Sequence, residues 1–281
     1  MDTSSITRFA PSPTGGLHLG HAWSALLAHD LARARNGRFV LRIEDIDRTR
    51  CRTEFAAGIF MDLRWLGLDW DGDVLFQSNR AEAHQAALDD LIETGLAYRC
   101  WCTRKEIAAA GGAPQGEAGP IYPGTCKDRP APREDRSYCW RLDTGRAVEL
   151  AGPLQWRDGD SDIPADPAQL GDVVIARKDA ETSYHLAVTV DDAAQGVTDI
   201  VRGHDLFEST HIHRLLQALL GLPVPHYHHH ALLCDVGGER LAKRKLAPTI
   251  ASLRADGVDP RRLIADMRQR QFPIGFALDQ A

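Results

Sequence analysis

Two histidines, in the stretch His18-Leu19-Gly20-His21, follow a glycine-rich turn, Thr14-Gly15-Gly16. Imidazoles one turn apart at a helix start can donate to phosphate oxygens, and the free N–H groups of that start favour anions. During adenylyl transfer negative charge builds on the pentavalent phosphorus, where such donors stabilise it. Far downstream, Glu239-Arg240-Leu241-Ala242-Lys243-Arg244-Lys245 supplies a cationic loop suited to a leaving pyrophosphate. Taken singly, each has a plainer reading: a turn with two surface histidines, and a solvated basic loop. Occurring together in this order, they point to nucleotide chemistry.

A second cluster is sulfur-based. Cys100-Trp101-Cys102 is followed by Tyr122-Pro123-Gly124-Thr125-Cys126. Three thiolates suit a tetrahedral Zn²⁺ with one further ligand, although buried reduced cysteines are also common packing residues. The six cysteines are scattered irregularly, behind an amino terminus without a signal-peptide pattern. That argues against a disulfide framework and for a cytoplasmic chain. Cys51, Cys139 and Cys234 read as packing residues. His226 and His228, His229 and His230 invite a metal reading as well. Strand alternation sends neighbours to opposite faces, so a structural role is preferred.

The elements that must position these groups follow from periodicity. Residues 6–10 read as a strand closed by Pro11 and Pro13. Leu19, Ala22, Trp23, Leu26, Leu27, Leu31 and Ala34 then recur at helical spacing, and Gly37 offers a C-terminal stop. Residues 39–43 complete a β-α-β unit, which implies a parallel sheet with a right-handed crossover. Helices are predicted near 52–66 and 80–95. From about 99 to 170 the texture is rich in Gly, Pro and Asp and reads as an insertion. Strand-like runs return at 172–176, 184–190 and 197–202, then a helix at 206–220 and a last strand at 227–233. Short helices near 248–256 and 260–270 finish the chain. Charged residues make up 26 % of the chain and hydrophobic ones 43 %, as in ordinary globular proteins. The net charge of −6 does not announce a nucleic-acid binder, but a local basic surface would suffice. No apolar run approaches the roughly 18 to 20 residues that span a bilayer.

These residues resemble the class I aminoacyl-tRNA synthetases. His18 to His21 match the HIGH motif, and Arg240 to Arg244 stand where KMSKS belongs, with Arg240 for the first Lys and Ala242 for the first Ser. Arg8-Phe9-Ala10-Pro11-Ser12, Arg42-Ile43-Glu44-Asp45-Ile46-Asp47, Tyr184-His185-Leu186-Ala187, Val190-Asp191-Asp192 and Val201-Arg202-Gly203 resemble the glutamyl-tRNA synthetase branch. The resemblance implies an α/β fold, a Rossmann-like doubly wound parallel sheet. An inserted, zinc-bearing, acceptor-type subdomain and a short C-terminal helical segment complete it. The implied divisions are 1–98 and 172–238 for the halves of the catalytic domain, 99–171 for the insertion, and 239–281 for the KMSKS-like loop and helical tail.

It also implies a glutamate pocket. Arg8, Phe9, Ala10, Pro11, Ser12, Tyr184 and Arg202 surround the amino acid, and Glu44 holds its ammonium. Planar guanidinium forks suit the two carboxylates. ATP falls to His18, Gly20, His21, Arg240, Leu241 and Lys243, with Mg²⁺; His18, His21 and Lys243 are the catalytic group. Considered alone, Tyr184 could be an ordinary strand aromatic, and Asp191-Asp192 a cap for the next helix. Val188 departs from the branch, which has Asn there.

Short tRNA-modifying relatives of this branch pair the Cys-x-Cys with a Tyr-x-x-x-Cys, implying one structural Zn²⁺ on Cys100, Cys102, Tyr122 and Cys126. Cys139 or a histidine remains an alternative to Tyr122. Only residues 245–281 follow Arg244, too few for an anticodon-binding domain of the usual kind. This resembles the relatives that form glutamyl-adenylate without tRNA and then esterify queuosine at the wobble position of tRNA(Asp). The implied partners are therefore queuosine-bearing tRNA(Asp), L-glutamate and ATP, with no membrane and no obligate protein partner. The rivals are a shortened enzyme charging the 3′ end of tRNA(Glu), a small-molecule glutamate ligase, and a degenerate synthetase that only binds RNA or regulates, against which the intact His18, His21, Glu44, Lys243 and pocket arginines speak.

Overall fold

The structure is a computed structural model describing residues 5–109, 115–116, 119–132, 136–178, 180, 182–235, 248–273 and 275–279. In chain order the elements begin β1 (Ile6–Phe9), α1 (Leu19–Ala34), β2 (Arg38–Ile43), α2 (Thr53–Trp65), β3 (Leu75–Phe76), α3 (Ala81–Glu93) and β4 (Ala97–Cys100). Then come α4 (Arg104–Ala109), β5 (Gln115–Gly116), β6 (Gly119–Pro120), β7 (Cys139–Leu142), α5 (Thr144–Ala151), β8 (Gln155–Asp158), β9 (Ser161–Pro164) and β10 (Val174–Ala176). The rest are α6 (Tyr184–Ala194), β11 (Asp199–Gly203), α7 (Phe207–Leu219), β12 (His226–His230), β13 (Leu233–Asp235), α8 (Ile250–Ala255), α9 (Pro260–Arg268) and β14 (Phe276–Leu278).

Two compact units result. The first comprises residues 1–79, 195–207 and 225–281; the second comprises 80–194 and 208–224.

The first unit is built on parallel strands in the order β3-β2-β1-β11-β12. The expected β1-α1-β2 crossover is present. Helix α1 buries Leu19, Ala22, Trp23, Ala25, Leu26, Ala28 and Ala32, its small residues letting the helix lie close to the sheet. Thr7 of β1 donates from its hydroxyl to the Ala28 carbonyl at 2.8 Å. The predicted stop is displaced by one residue. Asn36 takes the left-handed backbone conformation, with φ of 50°. Gly37 is needed for a different reason, since a Cβ there would overlap the Ser5 carbonyl oxygen. Around these elements Phe39, Leu41, Ile43, Ile59, Leu63 and Met267 close the core.

The second unit holds an antiparallel sheet ordered β10-β7-β4, so the run near 172–176 pairs with β7 rather than joining the parallel strands. The strand expected over 184–190 is wrong: Tyr184–Ala194 is helix α6. The single strand expected over 227–233 is two, β12 and β13. The latter pairs antiparallel with β14, an element periodicity did not reveal. Among the described residues, no helix is long and apolar enough to cross a membrane.

Candidate active site

Parallel pairing delivers several sequence-predicted residues to one edge of the sheet. Strand β1 carries Arg8 and Phe9 and runs out into Ala10, Pro11 and Ser12; β2 runs out into Glu44; β11 ends with Arg202 and Gly203. These are carboxyl ends of adjacent strands, where open α/β sheets collect ligands. The loops are tied together, because the Glu44 N–H donates to the Pro11 carbonyl at 3.0 Å. Arg8, nearly buried at 5 % exposure, donates through Nη1 to the Val201 carbonyl at 3.2 Å.

The charged groups have fixed supports that sequence reading missed. Arg42 is fully buried, and its Nη2 meets Glu44 Oε1 at 3.1 Å while Nη1 donates to Gln195 Oε1 at 3.1 Å. Arg202 lies beside His229 in the β11–β12 register. Its Nε–H donates to His229 Nε2 at 3.1 Å, and its guanidinium lies 5.2 Å from the Tyr227 ring centroid. Tyr227 and His229 are parallel, 1° apart in plane, as two residues on one strand face can be. The structural reading of His229 thus omitted its link to Arg202. The available signal was its strand parity with Tyr227 beside a strand carrying Arg202.

The histidine pair starts α1. His18 is the N-cap: its Nδ1 accepts the Gly20 N–H at 3.1 Å, and His21 Nδ1 accepts the His18 N–H at 3.2 Å. Each Nδ1 is an acceptor, so each neutral ring carries its proton on Nε2, the atom a phosphate oxygen can use. The rings stack with centroids 3.7 Å apart. Gly20 permits this, because a Cβ there would stand 3.0 Å from the His18 ring. Burial lowers the His18 pKa. Burial, and then the neighbouring His18, push His21 down to about 3. Both are neutral at physiological pH. Downstream, Thr249 bridges to His18 and the Ile250 N–H donates to the Leu17 carbonyl at 2.7 Å. The segment following the basic loop is therefore fastened to the start of α1. Arg240, Leu241 and Lys243 lie outside the described residues.

Tyr184 belongs to the second unit, as the first residue of α6, with ring contacts to His185 and His213 at 5.5 Å. It is a helix-start aromatic, and Val188 is buried on the same helix. Asp191 is no cap. It is wholly buried within α6, paired with Arg80 at 3.1 Å and His84 at 3.0 Å.

In the second unit, β4 ends at Cys100, and the thiols of Cys100, Cys102 and Cys126 lie within 4.8 Å of one another. Cys102 and Cys126 sulfurs are 3.5 Å apart, and Tyr122 Oη is 3.7 Å from Cys102 Sγ. Sulfurs held tetrahedrally about 2.3 Å from zinc stand roughly 3.8 Å apart, so the donor set fits a metal ion. Burial, and then the neighbouring thiols of Cys100, Cys126 and Cys102, push the Tyr122 phenol well above its ordinary pKa. Its Oη accepts the Cys126 N–H at 2.8 Å, and the Arg141 guanidinium sits 3.8 Å from its ring centroid. A hydrogen bond from Cys139 is the chief cause holding Cys100 down to about 4, whereas burial pushes Cys102 up to about 11. Cys139, opposite Cys100 on β7, donates to the Cys100 carbonyl at 3.5 Å and stands behind the cluster.

Comparison with known proteins accords with this geometry. Residues 5–276 match the family model described as tRNA synthetases class I (E and Q), catalytic domain. The glutamyl-Q tRNA(Asp) synthetase of Rhodobacter capsulatus is 51 % identical, the alignment covering 92 % of this chain and 99 % of that protein. The chain belongs to the glutamyl-Q tRNA(Asp) synthetases. Another member, from Nocardia farcinica, is 45 % identical over 92 % of this chain and 82 % of its own length. Glutamyl-Q tRNA(Asp) synthetases are thus seen here on the class I catalytic fold, and membership makes the chain an ATP-using ligase. A crystal structure of a glutamate tRNA ligase from Elizabethkingia meningosepticum, in complex with its amino acid, superposes with TM-score 0.69. At 24 % identity it speaks for the fold, and the match spans 90 % of this chain and 53 % of that one.

Proposed function

We propose that the protein activates L-glutamate with ATP and Mg²⁺ and transfers it to the queuosine cyclopentene-diol of tRNA(Asp). The observation that carries the activation step is the neutral His18–His21 pair, with both Nε2 protons available at the start of α1. A glutamate carboxylate oxygen attacks the α-phosphorus, the bond to the bridging oxygen breaks, and pyrophosphate leaves with that electron pair. The imidazole N–H groups stabilise the transferring phosphoryl oxygens. Arg8, Arg202 and Tyr184 hold the amino acid with Phe9, Ala10, Pro11 and Ser12, and Glu44 takes its ammonium. Lys243, with Arg240 and Leu241, serves the ATP phosphates. In the second step a diol hydroxyl attacks the mixed-anhydride carbonyl, loses its proton, and AMP departs. Queuosine as acceptor is supported by the names of the relatives in Rhodobacter capsulatus and Nocardia farcinica.

Cys100, Cys102, Tyr122 and Cys126 hold one Zn²⁺, which pins the insertion at 99–171 where that insertion meets RNA. Bound there, zinc supplies a structural cross-link and no chemistry on the substrate.

The test is incubation with ATP and labelled glutamate beside tRNA(Asp) with queuosine, tRNA(Asp) without it, and tRNA(Glu). Label is expected on queuosine-bearing tRNA(Asp) alone. Label on tRNA(Glu) would replace the proposal with a 3′-end charging enzyme. Pyrophosphate exchange without any labelled RNA would point to a small-molecule ligase.

A further inference from the structure

At the opposite ends of the same strands lies a group of metal-ligating side chains for which the activation chemistry has no use. Asp199 opens β11 and His226 opens β12, and parallel pairing sets these two residues side by side. The period of two along a strand returns His228 to the face of His226. The two imidazole centroids are 4.3 Å apart. One ligand atom from each of Asp199, His226 and His228 lies within 4.8 Å of the others.

The Asp199 carboxylate is held so that its two oxygens have different duties. Oδ2 accepts the Ser5 hydroxyl at 2.7 Å and the Thr198 hydroxyl at 2.8 Å. Oδ1 faces His228 Nε2 at 2.9 Å and Arg35 Nη1 at 2.7 Å. Hydroxyls fixing the outer oxygen are the kind of support that orients a carboxylate ligand. Asp199 is also no ordinary surface acid, being 4 % exposed. Two imidazoles and a carboxylate make a nitrogen-and-oxygen donor set that suits Zn²⁺, Ni²⁺ or Cu²⁺ rather than Mg²⁺ or Ca²⁺.

Arg35 is the apparent objection, because it neutralises the oxygen a cation would need. Its position answers the objection. Arg35 is the C-cap residue of α1 and its side chain is 44 % exposed, so the guanidinium can turn into solvent at small cost. Cation and guanidinium are then alternative counter-ions for one buried carboxylate.

We propose that Asp199, His226 and His228 form a second metal site for a late first-row divalent cation, with Arg35 as the counter-ion that the cation displaces. His228 ligates through Nε2 once its proton resides on Nδ1, so the exchange needs no redox partner. The site lies away from the carboxyl edge of the strands. It therefore clamps β11 to β12 and leaves the reaction itself untouched.

The experiment is a Co²⁺ titration of the full chain after chelator treatment and removal of the chelator. Thiolate ligation gives strong sulfur charge-transfer absorption; ligation by imidazole and carboxylate gives weak visible bands alone. Two spectral classes are expected. His226→Ala and His228→Ala should each abolish the second class and keep the first. Arg35→Gln should tighten the second class by a few-fold, up to about fivefold, a change that a purely structural ion cluster would not produce. His226, half-buried at the start of its strand, supplies the decisive variant where His228→Ala impairs folding. The proposal is overturned by a wild-type chain with no sulfur-free class, by a second class indifferent to both histidine variants, or by an affinity that Arg35→Gln leaves unchanged.

Discussion

His229 shows how one side chain can fix another from behind it. It accepts the Arg202 Nε–H at 3.1 Å, with the Tyr227 ring beneath the same guanidinium. A hydrogen bond to a charged group contributes about 1.5–3 kcal/mol, so its loss should be visible in substrate affinity. With Arg202 in the glutamate pocket, His229→Leu should raise KM for glutamate at least about tenfold and leave kcat within a factor of about three. His229→Gln keeps an acceptor and should recover most of the loss. The measurement is pyrophosphate exchange against glutamate concentration; an unchanged KM in the leucine variant would mean that Arg202 does not depend on this support. The residue pattern made Arg8, Glu44 and Arg202 legible through the motifs that contain them. It did not make Arg42 or His229 legible as supports, because a hydrogen bond across strands depends on register, which no short motif encodes.

Helix α6 is the element that sequence reading misjudged, and its burial explains why. Tyr184, Val188, Thr189 and Val190 favour strands, and Leu186, Ala187, Val188, Thr189, Asp191 and Asp192 are all buried. A helix buried around most of its circumference has no polar face, so the usual 3.6-residue signal is erased. What fastens it is Asp191. That fully buried carboxylate takes Arg80 Nε at 3.1 Å and His84 Nε2 at 3.0 Å, joining α6 to the start of α3. Removing one member of such a buried network strands the others, at a cost of about 3–5 kcal/mol. Asp191→Ala should therefore shift the urea midpoint strongly, whereas Asp192→Ala disturbs neither of these pairs. Equal, small effects from the two would refute the anchoring role. By contrast α1 and β2 were read nearly to the residue, since Leu19, Ala22, Trp23, Leu26 and Leu31 recur at helical spacing and glycines bracket the helix at Gly16 and Gly37.

For the whole molecule, pH should matter through its buried histidines. Burial lowers the pKa of His18, His211 and His230, and lowers His21 to about 3. The unfolded chain takes up protons near pH 6.5 that the folded chain refuses, so stability is complete above that pH and falls below it. His21 alone contributes a slope of up to about 1.4 kcal/mol per pH unit between roughly 6.5 and 3. Melting temperature should fall from pH 7.5 to pH 5, less steeply in His21→Asn; parallel profiles for the two proteins would contradict the assignment. The parallel sheet of the first unit was legible from one β-α-β unit, while the β13–β14 pairing was not, because it joins short segments far apart in sequence. A different liability follows from the pairing of Asp199 with His226 and of Arg202 with His229. Both ends of one strand pair are set by a single alignment, so adding or deleting one residue between 199 and 203 would displace the Arg202 guanidinium and the distant Asp199 carboxylate in one genetic event. Such length changes should be rejected across this stretch even where quite drastic replacements are accepted.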